Sequence, residues 1–179
     1  VPLTQWDSPS LSELIRDTNK FSNNVMARQL FLALGAGGQP ATIDASRNAV
    51  LAWLKSKAID PSGLILENGS GLSRTERISA TTLSALLVAA FQSPVMPEFI
   101  ASLPLVGYDG TMRKRLALQA VAGHAHIKSG SLQEVRSVAG YVLAASGKRY
   151  AVVCLINHAN AVRGAAAQDV LLEWLYENN

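Results

Sequence analysis

The chain has 179 residues, of which 49% are hydrophobic and 16% charged, and a net charge of +3. This composition predicts one globular domain over residues 1–179 with a sizeable core. The densest basic run, Arg113–Arg115, has no interleaved aromatic residues, which disfavours nucleic-acid binding. The single cysteine, Cys154, lies in an apolar run and predicts a buried, inert thiol. No apolar run reaches the roughly 18 residues that a membrane helix needs.

Two helical patterns open the chain. Ser10 and Glu13 have the spacing of a capping box ahead of the first helix. The second pattern runs from about Asn23 to Leu34, and Gly35, Gly37 and Gly38 end it. The apolar faces of the two helices are predicted to comprise Leu11, Leu14, Ile15, Val25, Met26, Leu30 and Leu34.

Three more helices and a glycine-rich loop are predicted before residue 105. Asp44 is the predicted cap of the third helix, whose inward residues are Val50, Trp53 and Leu54. Residues 64–66 are apolar and short enough to form a strand, and Asn68–Arg74 reads as a tight glycine-rich loop. Ser79 caps a fourth helix, and a short fifth helix carries Phe99 and Ile100.

The last third of the chain changes to strand patterns. The predicted strands are His126–Ser131, Val135–Ala145 and Arg149–Ile156, with Ser146-Gly147 as a hairpin turn. The last two strands are almost continuously apolar, which is typical of a sheet covered on both faces by helices. One covering helix begins at about Val162, and its apolar face is predicted to comprise Val162, Ala166, Val170 and Trp174, with Leu171 and Leu175 beside them. The predicted fold is α/β of the α+β kind: a helical cluster, a three-stranded antiparallel meander and a C-terminal helix.

Two short motifs carry groups suited to acyl transfer on a peptide. Ser22-Asn23-Asn24 precedes the second helix, and Lys128-Ser129-Gly130-Ser131 lies on the first strand. Ser22 can relay a proton, and Asn24 offers both amide donors and a carbonyl. Lys128 is a charge that can orient Ser22 and attract an anionic substrate.

The strand residues after Lys128 suit a peptide that ends in a carboxylate. Ser129 and Ser131 can donate hydrogen bonds to it, and Gly130 leaves room for an extended peptide along the strand edge. Each motif alone has an ordinary explanation, since Ser-x-Asn before a helix is most often a cap and Lys-Ser-Gly is common in turns. Only the combination is specific.

The histidines do not predict a metal site. His124 and His126 are spaced as a ligand pair, but no suitable third ligand accompanies them, which favours surface or edge histidines. His158 lies in a loop and is unremarkable. No metal and no cofactor are predicted.

The two motifs together resemble the active-site set of penicillin-binding proteins and class A β-lactamases. The wider sequence resembles the class C low-molecular-mass penicillin-binding proteins, which are periplasmic D-alanyl-D-alanine carboxypeptidase/endopeptidases. The resemblance covers nearly the whole chain, and its matching stretches are Asn19–Asn24, Asn68–Arg74, Leu103–Thr111 and Lys128–Leu132.

The resemblance implies a β-lactamase/transpeptidase-like fold, a periplasmic location and a reaction. A serine would attack a D-Ala-D-Ala bond or a cross-link of peptidoglycan stem peptides, and β-lactams would trap the acyl-enzyme. Ser22 and Lys128 would assist proton transfer, and Asn24 would hold a substrate amide. Ser129 and Ser131 would contact the terminal carboxylate, and the N–H of Ser131 would be one oxyanion donor.

The chain departs from the family pattern at three points. Ser129 stands where threonine is usual, Asn68 stands where aspartate is more frequent, and no Ser-x-x-Lys is present; the nearest stretch is Thr111–Lys114. In the family that motif lies near the N-terminus, and accessory domains separate it from Ser-x-Asn. We therefore expect the chain, which starts Val1-Pro2, to be the C-terminal portion of a penicillin-binding domain and inactive alone.

Three hypotheses follow. The chain belongs to an active enzyme whose missing N-terminal segment carries Ser-x-x-Lys, or it is a non-catalytic module that binds cell-wall peptide or a partner. A β-lactamase is disfavoured because no deacylating glutamate motif is evident. The resemblance implies that two N-terminal strands of the family's sheet are absent from this chain. Without them the sheet should expose an apolar face or edge, which predicts self-association.

Overall fold

The structure is a computed structural model that describes residues 3–37 and 40–178. Gly38, predicted to follow the second helix, lies outside the described residues. Across the described residues the chain forms six α-helices, three strands and two short 3-10 turns. In chain order these are α1 (Leu11–Lys20), α2 (Asn24–Leu34), α3 (Ile43–Ser56), α4 (Ala80–Phe91), α5 (Met96–Ser102), the turn Gly110–Met112, β1 (Ala125–Leu132), β2 (Val135–Leu143), β3 (Arg149–Asn157), the turn Ala161–Arg163 and α6 (Gly164–Glu177).

The three strands form an antiparallel meander in the order β1-β2-β3. Lys128 lies opposite Ala139, which in turn lies opposite Val153. The predicted meander is confirmed. Strand β2 ends before the predicted Ala145, because the N–H of Ala144 donates instead to the carbonyl of Lys148 and closes the hairpin.

Helix α6 covers one face of the sheet. Leu172 is 0% exposed and belongs to a buried cluster of Val106, Met112, Val121, Ala125, Ile127, Val138, Val142, Val152 and Leu172. Leu171 and Leu175 pack against this cluster from the same helix. The helix therefore shares the apolar cover on this side with Val106, Met112 and Val121, which lie between α5 and β1.

The predicted covering face of α6 is wrong. Val170 and Trp174 are 64% and 52% exposed, and Val162 before the helix is exposed as well. The polar Gln168 is buried in their place, because its side chain donates to the Cys154 carbonyl at 3.5 Å and accepts from Arg115 at 3.3 Å. A polar residue with hydrogen-bond partners can sit on the inward face, which here comprises Gln168, Leu171, Leu172 and Leu175.

Helices α4 and α5 cover the other face. Leu87, Leu103 and Tyr141 form a second buried cluster, with Phe99 edge-on to the ring of Tyr141. The Tyr141 hydroxyl donates to the carbonyl of Leu87 at 2.6 Å, so the strand and the helix are joined by a polar contact as well. The prediction that helices cover both faces of the sheet is confirmed.

The helix starts follow side-chain caps. The capping box of Ser10 and Glu13 is present, and Ser79 caps α4 as predicted. The cap of α3 is Thr42 and not Asp44, because the Thr42 hydroxyl accepts the N–H of Ala45 while Asp44 lies in the first turn. Asp44 pairs there with Arg47.

Several predicted inward residues of α1 to α3 are exposed. They are Leu11, Val25, Leu34 and Trp53, whereas Phe31 and Leu54 are the buried apolar residues of α2 and α3. These helices meet the rest of the molecule over narrow stripes, so much of each apolar face stays at the surface. No helix among the described residues is both long and apolar enough to cross a membrane.

The predicted strand at residues 64–66 is also wrong. Only an isolated bridge between Ile65 and Arg77 forms there. The next backbone N–H groups do not pair with a strand, because those of Glu67, Asn68 and Gly69 all donate to one carboxylate oxygen of Glu76 at 3.0–3.1 Å. The Glu76 carboxylate therefore accepts the hydrogen bonds that a neighbouring strand would otherwise accept, and this shapes the start of the glycine-rich loop.

Candidate active site

The centre of the site is a contact between the two predicted motifs. The Lys128 ammonium, from the middle of β1, donates to the Ser22 hydroxyl oxygen at 2.8 Å. It also donates to the carbonyl of Ser129 at 2.8 Å. The two motifs lie 106 residues apart in the chain, so the fold and not local sequence brings them together.

Burial changes the acid–base character of Lys128. Desolvation lowers the pKa of its ammonium below the ordinary 10.5. A lowered pKa increases the fraction of neutral amine near neutral pH, and a neutral amine can accept a proton. Because Ser22 is within hydrogen-bond distance, its hydroxyl can pass a proton to or from this amine.

Ser22 adopts a backbone conformation that non-glycine residues rarely take. Its φ of 53° is left-handed, which costs on the order of 1 to 3 kcal/mol. It forms the turn between α1 and α2, where the N–H of Asn23 donates to the carbonyl of Thr18 at 3.0 Å. The turn directs the Ser22 side chain at β1, whereas Asn23 takes the cap position of α2.

Asn24 joins the second helix to the glycine-rich loop. Its side-chain amide donates to the carbonyl of Ser70 at 2.5 Å, which uses one of its two N–H donors. Gly69 and Gly71 on either side of Ser70 have positive φ values of 69° and 78°. A Cβ at Gly69 would lie 2.5 Å from the Cβ of Phe31, so the loop packs closely against α2.

The residues after Lys128 follow the edge of β1. The hydroxyl of Ser129 lies 3.1 Å from that of Thr111, and Ser131 is exposed. At Gly130 a Cβ would come within 2.3 Å of the Ser137 hydroxyl oxygen on β2. The absence of a side chain at Gly130 therefore accommodates the neighbouring strand within the sheet.

All six predicted site residues line one cleft of about 650 Å³. They are Ser22, Asn24, Lys128, Ser129, Gly130 and Ser131. The cleft continues over an apolar floor that includes Leu83, Leu86, Phe99 and Leu155. Among the described residues that line the cleft, Lys128 is the only lysine.

The histidines and the cysteine lie outside this cleft. His124 stacks on Tyr176, with ring centroids 4.9 Å apart. Burial is the main cause that lowers the pKa of His126 below 6.5, and its Nδ1 is buried without a hydrogen-bond partner among the residues that the structure describes. Cys154 is half-buried against the core. The described residues contain no group of three or more histidine, cysteine or acidic side chains placed to hold a metal ion.

Comparison with known proteins identifies the family of the chain. Residues 1–178 match the D-Ala-D-Ala carboxypeptidase 3 (S13) family. The chain belongs to this family. The S13 assignment confirms the resemblance drawn from the motifs.

Relatives in the S13 family include two actinobacterial carboxypeptidases. The chain is 33% identical to carboxypeptidase DacB of Mycolicibacterium smegmatis over 176 residues, which cover 94% of this chain and 38% of that protein. It is 34% identical to the D-alanyl-D-alanine carboxypeptidase of an Actinomadura species over 152 residues, which cover 82% and 28% respectively. The chain thus spans less than two-fifths of the length of either.

Solved structures show the same fold. Penicillin-binding protein 4 of Haemophilus influenzae, complexed with a β-lactam, superimposes with a TM-score of 0.83 at 26% identity, over 92% of this chain and 41% of that one. The predatory endopeptidase Bd0816 of Bdellovibrio bacteriovorus gives a TM-score of 0.72 at 18% identity, over 98% and 48%. The prediction of a penicillin-binding-protein fold is confirmed.

Sequence reasoning about this S13 chain missed three residues beside the site. Lys20 and Asp109 form an ion pair at 2.5 Å, and Thr111 contacts Ser129. One signal was available: Asp109 is the only acidic residue between Glu98 and Glu134, in a stretch that also holds Arg113–Arg115.

Proposed function

We propose that this chain supplies the Ser-x-Asn and Lys-Ser-Gly side of the cleft of a serine-type D-Ala-D-Ala carboxypeptidase/endopeptidase. The enzyme acts in the periplasm on peptidoglycan stem peptides through an acyl-enzyme that β-lactams trap. The observation that carries the proposal is the 2.8 Å contact between Lys128 and Ser22, in a cleft that Asn24 and β1 also line.

The proposed roles follow from the chemistry of each group. Ser22 and Lys128 relay the proton that the leaving amine of the substrate requires. Asn24 binds a substrate amide, and the hydroxyls of Ser129 and Ser131 bind the terminal carboxylate. The N–H of Ser131, on the open edge of β1, stabilises the oxyanion of the tetrahedral intermediate. An extended peptide can lie along that edge as a further strand.

The attacking serine comes from another part of the same gene product. The chain contains no Ser-x-x-Lys, and Ser22 is held in a turn rather than at the start of such a motif. The apolar floor of the cleft and the length of the S13 relatives support a segment that completes it. Residues 1–179 are, on this proposal, the C-terminal portion of the penicillin-binding domain, and the isolated chain is inactive and prone to self-association.

Labelling with a fluorescent penicillin tests the proposal. We expect the full-length gene product to become covalently labelled and the 179-residue chain to remain unlabelled. In the full-length protein, Lys128→Ala should abolish labelling, whereas Lys148→Ala, at an exposed hairpin position, should not change it. Thermal unfolding of each variant checks that the fold is retained.

The outcomes separate the candidate functions. Labelling of the isolated chain would contradict the assignment of the nucleophile to another segment. Absence of labelling in the full-length protein, together with binding of stem peptides, would support the non-catalytic module instead. Rapid release of the label by hydrolysis would indicate a β-lactamase. Unchanged labelling of Lys128→Ala would remove Lys128 from the proton relay.

A further inference from the structure

One loop contacts both of the elements that carry the candidate site. Residues 105–112 run from the end of α5 toward β1, and the N–H of Val106 donates to the carbonyl of Ala125 at 2.9 Å. Leu105 also bridges His126. The loop is therefore fastened to β1 by backbone hydrogen bonds before it reaches the Ser22 turn.

Asp109 occupies the centre of this loop and uses both carboxylate oxygens. Oδ2 accepts from the Lys20 ammonium at 2.5 Å, and Oδ1 accepts the N–H of Leu105 at 2.7 Å. The Lys20 side chain is only 13% exposed, so the ion pair is largely shielded from water on that side. Because the second oxygen is fixed by the backbone, the carboxylate has one orientation toward Lys20.

Lys20 lies two residues before Ser22. The backbone here is packed tightly, since a Cβ at Gly110 would lie 2.5 Å from the carbonyl oxygen of Lys20. Ser22 itself is held at a φ of 53°, a conformation that persists only where its surroundings impose it. On the other side, Thr111 lies 3.1 Å from the Ser129 hydroxyl.

We propose that Asp109 is a positioning residue that holds the Ser22 turn, through Lys20, at its distance from Lys128. This inference rests on the proposed function for its catalytic consequence. The Asp109 carboxylate accepts hydrogen bonds from Lys20 and from the N–H of Leu105, neither of which is one of the six predicted site residues; it acts on the backbone that presents Ser22. The pair Arg16–Asp17 on the same helix is the natural comparison, because its two side chains pair with each other and are 52% and 44% exposed.

The substitution Asp109→Asn tests the inference in the full-length gene product. Asparagine keeps an oxygen for the N–H of Leu105 and loses the charge that holds Lys20. We expect the second-order rate constant for acylation by fluorescent penicillin to fall 10- to 100-fold, because small misplacements of a catalytic group have effects of this order. Asp17→Asn should leave this rate unchanged.

Three further measurements separate positioning from a general loss of structure. Asp109→Glu, which restores the charge, should recover part of the rate. Lys20→Met should reproduce the loss, and the double variant Lys20→Met/Asp109→Asn should be no slower than either single variant. Hydrogen exchange in Asp109→Asn should rise at least tenfold in a peptide spanning residues 18–26 and stay unchanged in β2.

Each outcome decides the inference. Acylation of Asp109→Asn within twofold of wild type, or strictly additive losses in the double variant, would overturn it while leaving the proposed function intact. If the wild-type protein is not acylated, the proposed function fails, and hydrogen exchange at residues 18–26 still decides whether Asp109 holds the turn. If Asp109→Asn does not fold, Lys20→Met, which keeps most of the aliphatic stem, takes its place in both measurements.

Discussion

Replacing Leu172 with alanine tests which face of α6 meets the sheet. Leu172 is fully buried, and its truncation leaves a cavity in the cluster that it shares with Ile127 and Val138. A buried Leu→Ala change costs about 2 to 5 kcal/mol, and we expect about 3 kcal/mol here. Val170→Ala on the same helix removes a side chain that is 64% exposed, and should cost less than about 0.5 kcal/mol.

Urea unfolding of the 179-residue chain, followed by circular dichroism, measures both free energies. Thermal unfolding should show the Leu172→Ala midpoint lowered by roughly 6 to 12 °C, since 1 kcal/mol shifts a chain of this size by roughly 2 to 4 °C. A larger loss for Val170→Ala than for Leu172→Ala would refute the reasoning. It would mean that the stripe of Val162, Ala166, Val170 and Trp174 faces the sheet after all.

Three more predictions concern the loop, a buried phenol and the site lysine. Gly69→Ala should lower the free energy of unfolding in urea by about 2 to 4 kcal/mol, because Gly69 has a positive φ and a Cβ there would clash with Phe31. Gly63→Ala is the control: Gly63 has a φ of 76° but open space around it, so the loss should be about 1 kcal/mol. Burial raises the pKa of Tyr141 to about 12, so an absorbance titration should show a late step that Tyr141→Phe removes. The stability that this shift contributes is present below pH 10 and is lost as the pH rises from 10.0 to about 12. Burial lowers the pKa of Lys128 in the folded protein below the 10.5 of the unfolded chain. The difference in unfolding free energy between wild type and Lys128→Met should therefore be constant below the lowered pKa and rise in favour of wild type from there up to pH 10.5. A difference that does not change with pH would contradict the lowered pKa.

The strands and the candidate site were accessible from sequence because their signals are local. Continuous apolar runs and the Ser146-Gly147 turn defined β2 and β3, and Ser22-x-Asn24 with Lys128-Ser129-Gly130 marked the cleft. Short motifs of this kind identify groups that must meet, even when the chain between them is long. The structure adds that Lys128 and Ser22 are in direct contact.

The helix faces were not accessible in the same way. Helical periodicity gives a stripe but not the partner that covers it, so the exposed Trp53 and Val170 were as plausible inward as Leu54 and Leu172. The buried Gln168 would have had to be recognised as satisfied by Arg115, 53 residues away in the chain. The ion pair of Lys20 and Asp109 depends in the same way on tertiary structure.

Ser22 and Lys128 are separated by 106 residues in the chain, and this separation bears on the order in which the sheet and the Ser22–Lys128 contact form during folding. The meander needs only neighbouring strands and can form early, whereas the Ser22 turn must dock after a long loop has closed. In reverse, the α1–α2 turn can open locally while the sheet stays intact. Heating should therefore separate the Ser22 hydroxyl from the Lys128 ammonium before the strands melt, so the contact between the two motifs is the more fragile feature of this fold.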